Sequence, residues 1–444
     1  MASGLGAGVT KVLRQQALAV PRWSLGGALA GLPLALIVVG PAITVAIDDR
    51  TLPVYASQIA IAALFVHIGF SGLGHRGFGG VPVCSRWLLG TVVLLAVPLV
   101  WSEDPAGLLA YLNFASGTVG GLAIAQVWKC MPRGYSWIDV GYLVFAVGGM
   151  LQLLVSLRGA SALKSLHQSS ETPWGNSNFV AGCLVIAALI VMARSALLGR
   201  HRKYAITVGL AAMGVALLTL SRGALVAACV GAVFFLWSKS AQRATRRRSS
   251  ATASKRADQS VILPLLLRVL SVLIPLAAFM ALDRATDLRA QLNDRVYANV
   301  DMRVTLYQLA WEEFLKSPLT GTGWASFRQA SLDSVGESQT FAHNLVFSML
   351  QIGGLMAVPY LVVLAVVMYR ALTRGGPYRA AVAASIAVSL TQPFFESTVG
   401  TLLILPVAIV AGLSAAPATE DNAHAFGAPG RGATPTRLRD RVMA

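Results

Sequence analysis

The sequence predicts an all-α integral membrane protein with about twelve transmembrane helices and one large polar loop. Three observations carry that prediction. Apolar residues make up 55% of the chain and charged residues 12%, with mean hydropathy +0.65, whereas soluble domains carry roughly 25% charged residues. The apolar residues gather in runs of the length a helix needs to cross a bilayer, about 20 residues. One polar stretch, 283–342, interrupts them.

In chain order the spans are expected near 24–47, 54–74, 87–101, 106–128, 138–157, 176–194, 204–220, 223–238, 262–282, 342–370, 379–395 and 397–413. Residues 1–282 thus form helices one to nine, 283–342 the outer loop, 343–413 the last three helices and 414–444 a disordered tail. No cleavable signal peptide is evident; a short basic segment with Lys11, Arg14 and Arg22 precedes the first span. Lys and Arg concentrate in cytoplasmic connections. Segments 75–86, 129–137, 194–203, 239–260 and 370–379 are rich in them, and all fall on one side of a twelve-span arrangement with both termini inside. The net charge of +17 therefore flanks membrane spans and does not point to nucleic acid. Cys84, Cys130, Cys183 and Cys229 lack metal-ligand spacing, so free thiols are expected. The tail, with Pro, Gly and Ala among four arginines, reads as disordered.

The same topology places 158–175, the turn Ser221-Arg222-Gly223 and the loop 283–342 on the outer side. Within the loop, Arg303, Tyr307, Trp311 and Phe314 recur three or four apart and share one face of a helix over 301–315. Pro318 and two glycines stop it. Leu288, Leu292 and Val296 space a second amphipathic helix over 284–299. The loop holds six Lys/Arg against eight Asp/Glu, so a general electropositive surface is not the signal; the question is whether particular arginines converge.

The ionisable residues at membrane level carry the chemistry. Arg222 either snorkels to the interface or binds phosphate through paired hydrogen bonds. His343, at the start of a helix, is either structural or a general base, since imidazole titrates near neutrality. Glu396, in the short outer turn between the last two spans, is solvated or else orients His343 or an arginine. Asn176 and Asn178 cap the sixth span, with sugar hydrogen bonding as the other reading. His67 and Arg268 read as packing and snorkelling residues, and His167 and Lys164 have no evident partner. No acidic pair or His cluster at metal-ligand spacing occurs in the outer segments, so a metal-free mechanism without cofactors is expected.

Ala342-His343-Asn344, followed by Leu345 to Gly354, resembles the His-Asn-x9-Gly signature of O-antigen ligases and their relatives, the O-antigen polymerases and protein O-oligosaccharyltransferases. Three residues beyond Gly354 the family has Gly, Thr or Tyr, where this chain has Ala357. Ser221-Arg222-Gly223 resembles the family's membrane-edge arginine. Arg303 with Pro318-Leu319-Thr320-Gly321-Thr322-Gly323 resembles its loop arginine and glycine turn.

The resemblance implies a GT-C-type glycosyltransferase of the bacterial inner membrane with its site facing the periplasm. It would move O-antigen glycan from undecaprenyl pyrophosphate to a sugar hydroxyl of lipid A–core, with inversion. His343 would be the base, Arg222 and Arg303 would hold the pyrophosphate, Asn344 would orient the ring and Glu396 would support it. Arg284, Arg289 and Arg295 would be further phosphate contacts, and Asn176, Asn178, Tyr307 and Trp311 further substrate contacts. Grooves between helices would take the lipid chains of both substrates. A single large outer loop favours ligase over polymerase, and the short tail disfavours protein O-oligosaccharyltransferase. A transporter of twelve spans would instead place its charges near the bilayer midplane.

Overall fold

A computed structural model describes residues 24–47, 50–70, 83–102, 104, 106–130, 136–158, 171–172, 175–195, 198, 201–219, 221, 223–235, 302–336 and 339–413. The first described element is helix α1 (Leu25–Leu36), capped by the Ser24 hydroxyl and followed by a 3-10 turn. Gly40, at φ 76° and ψ −147°, ends this helical stretch. The following residues pair as an antiparallel hairpin, β1 (Pro41–Ile47) with β2 (Arg50–Tyr55). The first span expected over 24–47 is thus cut short, because the Gly40-Pro41 pair cannot continue a helix.

Next come α2 (Ala56–Phe70), α3 (Val83–Leu94) with a 3-10 turn to Trp101, α4 (Ala106–Cys130) and α5 (Trp137–Arg158). A two-residue pairing, β3 (Glu171–Thr172) with β4 (Gly175–Asn176), precedes α6 (Ser177–Arg194), α7 (Arg202–Leu218) and α8 (Gly223–Phe235). Helix α9 covers 302–316, one residue from its expected bounds, and α10 is Phe327–Val335. Helices α11 (Leu345–Gly353) and α12 (Val358–Arg374) meet at a 3-10 turn, Gly354–Ala357. Helices α13 (Arg379–Ser389) and α14 (Thr398–Leu413) complete the fold.

The described residues are therefore mostly helical, with two small hairpins among them. Among the described residues, Ala106–Cys130, Trp137–Ser156 and Leu345–Arg374 are long and apolar enough to cross a membrane, and six further apolar helices are shorter. The ninth expected span and the tail lie outside the described residues, as does the amphipathic helix expected over 284–299.

Helix α6 sits at the centre. From Val180 to Met192 every side chain is buried, which a helix apolar on all sides requires. Helices α5, α7, α13 and α14 surround it. In a bilayer, lipid tails are as apolar as leucine, so helices associate by close packing at small residues. Helix α4 meets α14 in this way: a Cβ added at Gly117 would lie 2.8 Å from the Cα of Thr398, and one at Gly121 would lie 3.1 Å from Leu405.

Candidate active site

The loop arm is joined rigidly to the bundle. Its Pro318–Gly323 turn docks into the break between α11 and α12. There Thr322 N donates to Gln351 O (2.9 Å), Gly323 N to Ile352 O (3.1 Å) and Leu355 N to Pro318 O (2.8 Å). Gly321 (φ 70°) and Gly354 (φ 55°) both take left-handed backbone, and a Cβ on Gly354 would lie 2.6 Å from Gly321 N and Pro318 O. The glycine turn and the last residue of the His-Asn-x9-Gly pattern are thus two halves of one joint. Ala357 is wholly buried, and a Cβ at Gly353 would lie 3.3 Å from its methyl. A small residue is therefore what that position holds. Trp324 anchors the arm to the other side. Its indole N–H donates to Leu95 O (2.8 Å), and its ring lies against Tyr111 and Phe114.

This joint presents His343. The residue takes φ 57°, a left-handed conformation that only Ala325 shares among the described non-glycine residues. Such backbone costs on the order of 1–3 kcal/mol and persists where neighbours enforce it. The enforcing contacts are close by. Ala342 N donates to Ser348 Oγ (3.1 Å), while Asn344 Oδ1 accepts from Val346 N (3.0 Å) and Phe347 N (3.3 Å) and so caps α11. The imidazole is oriented by Gln339, whose Oε1 lies 3.0 Å from Nε2, rather than by Asn344 as expected. An amide oxygen facing Nε2 favours the tautomer with the hydrogen on Nε2 and the lone pair on Nδ1. That Nδ1 is buried and has no hydrogen-bond partner among the described residues. Burial first, and the Arg303 charge second, lower the imidazole from its usual range to about 4, so it stays neutral near pH 7.

Helix α9 turns Leu306 and Ala310 into a small core with Phe327 and Ala342. Arg303, Tyr307 and Trp311 form the stripe beside it. Tyr307 stacks on Phe347 (5.3 Å between centroids, 19°) and its hydroxyl donates to Leu390 O (3.3 Å). Asn344 Nδ2 donates to the same carbonyl (3.4 Å). The helix, the His343 segment and the end of α13 are thereby tied together. Trp311 is half-exposed, packs on Phe314, and is not drawn into this cluster.

Glu396 departs from the solvated carboxylate that was one expectation, being 0% exposed. The turn that carries it buries Phe394 and Phe395 and is fixed by Thr401 Oγ1 donating to Phe395 O (2.9 Å). Glu396 lies beside Ser348, and neither carboxylate oxygen has a hydrogen-bond partner among the described residues. Burial pushes its carboxyl up to about 8. It lines an open cavity of about 260 Å³ with Tyr55, Asn113, Arg328, Thr340 and Phe341.

Arg222, Arg284, Arg289 and Arg295 lie outside the described residues, as does the side chain of Asn176. The neighbours of Arg222 are placed: Ser221 Oγ donates to Asn178 O (3.4 Å), and a Cβ at Gly223 would lie 3.0 Å from Thr391 Oγ1. The turn thus meets the segment that leads to Glu396. Gln339, Gln392 and Arg328 were not candidates from sequence. Gln392, whose Oε1 is also buried without a partner, lies beside His343. Amides give no periodic or spacing signal, and Arg328 was one of several loop cations. Among the described residues, no group of three or more His, Cys, Asp or Glu side chains is placed to hold a metal ion.

No curated protein matches the chain. Residues 206–358, about a third of its length, match the family model described as O-antigen ligase. That segment runs from α7 through the joint at Gly354 and includes both Arg303 and His343. Over this segment the chain is similar to the O-antigen ligase family.

Proposed function

We propose that this membrane protein is an O-antigen ligase acting at the periplasmic face of the inner membrane. It transfers a glycan from undecaprenyl pyrophosphate to a sugar hydroxyl of lipid A–core. The observation that carries the reading is the neutral His343 imidazole, whose Nδ1 lone pair is unpartnered beside the Arg303 cation.

The acceptor hydroxyl gives its proton to Nδ1. Its oxygen attacks the anomeric carbon from the face opposite the pyrophosphate. A new glycosidic bond forms, the bond to phosphate breaks, the configuration inverts, and undecaprenyl pyrophosphate leaves. Arg303 and Arg222 stabilise that leaving group without a divalent ion, aided by Arg284, Arg289 and Arg295. Bound pyrophosphate also sets negative charge against Arg303, which relieves the repulsion on His343 and raises its basicity as both substrates assemble.

The test is transfer by purified His343→Ala, with and without chelator for the parent protein. Loss of about a hundred-fold or more is expected, at unchanged melting temperature, with no effect of chelator. Transfer near the parent rate rules out the general base, and a chelator-sensitive parent rules out the metal-free step.

A further inference from the structure

The cavity beside Glu396 has a composition that the transfer step above does not use. Its volume of about 260 Å³ falls below the roughly 300–1,000 Å³ of sites that take drug-sized ligands, so it suits one ring. Its walls mix apolar surface, including Phe341 and the ring of Tyr55, with the polar groups of Asn113, Thr340, Arg328 and Glu396. A pyranose has the same mixture: apolar C–H faces and a rim of hydroxyls. The Glu396 carboxyl is wholly buried beside Ser348, and among the described residues neither oxygen meets hydrogen-bond geometry with a partner. A protein interior rarely leaves such a group unmatched unless something else completes it.

We infer that this cavity is a subsite for one sugar ring of the acceptor, with ring hydroxyls meeting the Glu396 carboxyl. The inference rests on the glycosyl-transfer reading above and adds the place where the acceptor sits. Two further facts support it. Burial keeps the carboxyl largely protonated near neutrality, so it offers one donor and one acceptor, the pair that two adjacent ring hydroxyls match. The cavity also takes part of its wall from the segment leading to His343 and none from the arginine helix. Thr340 and Phe341 form part of its wall three and two residues before His343, whereas no α9 residue lines it. A ring held there lies against the segment that carries His343 and away from the helix of Arg303, where the pyrophosphate of the donor is expected.

The experiment measures the affinity of the detergent-solubilised full chain for lipid A–core without donor, and separately for the lipid-linked glycan donor. Ala106→Leu fills the cavity from α4; Thr340→Val removes a lining hydroxyl at constant shape, and so tests the site even if the larger side chain disturbs folding. Acceptor Kd is expected to rise tenfold or more in the first variant and several-fold in the second, with donor Kd unchanged. An unchanged acceptor Kd in both variants, or a weakened donor Kd instead, overturns the subsite. The result is separable from the transfer reading. Weakened acceptor binding with full transfer by His343→Ala would keep the subsite and remove the base; an inactive His343→Ala with unaffected acceptor binding would do the reverse.

Discussion

Two buried carboxylates stand near opposite ends of the same bundle, and they are treated differently. Helix α6 links the two regions: its first turn meets Ser221, and its last residue, about 27 Å away at 1.5 Å per residue, is Arg194. At the Arg194 end, Asp139 accepts from Ser136 N (2.7 Å), Ser136 Oγ (2.9 Å), Arg194 Nη2 (2.8 Å) and Arg194 Nε. Arg194 in turn donates to the Tyr378 hydroxyl (3.0 Å) and lies over the Trp128 ring (5.4 Å). At the other end, Glu396 is as deeply buried and has no hydrogen bond among the described residues. A buried charge that is paired and hydrogen-bonded holds structure together; a buried carboxyl without a cation beside it is held largely neutral instead. The first site closes the fold, and the second is the one that the proposed acceptor ring would complete.

The largest effect that tests this contrast is on stability. Asp139→Ala leaves the Arg194 guanidinium buried without its carboxylate, and breaking such a pair typically costs about 3–5 kcal/mol. A marked fall in melting temperature is expected. Glu396→Ala should show no such loss, because it removes an unmatched group. Equal destabilisation by the two substitutions would erase the distinction.

The next effect is the pH dependence that Glu396 imposes. Its folded value of about 8 lies above the ordinary 4.5, so the folded state binds the proton more tightly. The stability it contributes is complete below 4.5 and is lost as pH rises toward 8. The loss amounts to about 1.4 kcal/mol for each pH unit across that window. Glu396→Gln cannot titrate, so parent minus variant stability should fall through the window and level off above it. A flat difference would mean that the carboxyl is solvated, contrary to its burial.

Much of this was legible in the sequence, for a physical reason in each case. The stripe Arg303, Tyr307 and Trp311 was readable because helical spacing fixes which side chains share a face. The joint could be read only as two separate glycine patterns. That Gly321 and Gly354 fit against each other is a tertiary fact, 33 residues apart in the chain. Asn344 followed from the residue types that cap helices, but its tie to Leu390 did not. The hairpin at 41–55 was hidden because its apolar residues continue the hydropathy of the first span. The burial of Glu396 was hidden for the opposite reason: a charged residue in a short turn normally faces water, and the burial of this turn with Phe394 and Phe395 is a tertiary fact.

The smallest effect expected is also the most diagnostic for the site end. Burial is the larger cause of the lowered His343 value and Arg303 the smaller. Arg303→Gln should therefore raise the acid limb of kcat/KM from about 4 by only a fraction of a pH unit, while its loss of pyrophosphate contact lowers the rate itself. In the parent, the kcat limb should lie above the kcat/KM limb, because kcat reports the complex in which pyrophosphate already offsets Arg303. In the variant the two limbs should draw together, since there is no cation left for the phosphate to offset. Limbs that coincide in the parent would show that Arg303 does not act on the ring. Limbs that stay apart in the variant would assign the offset to another cation.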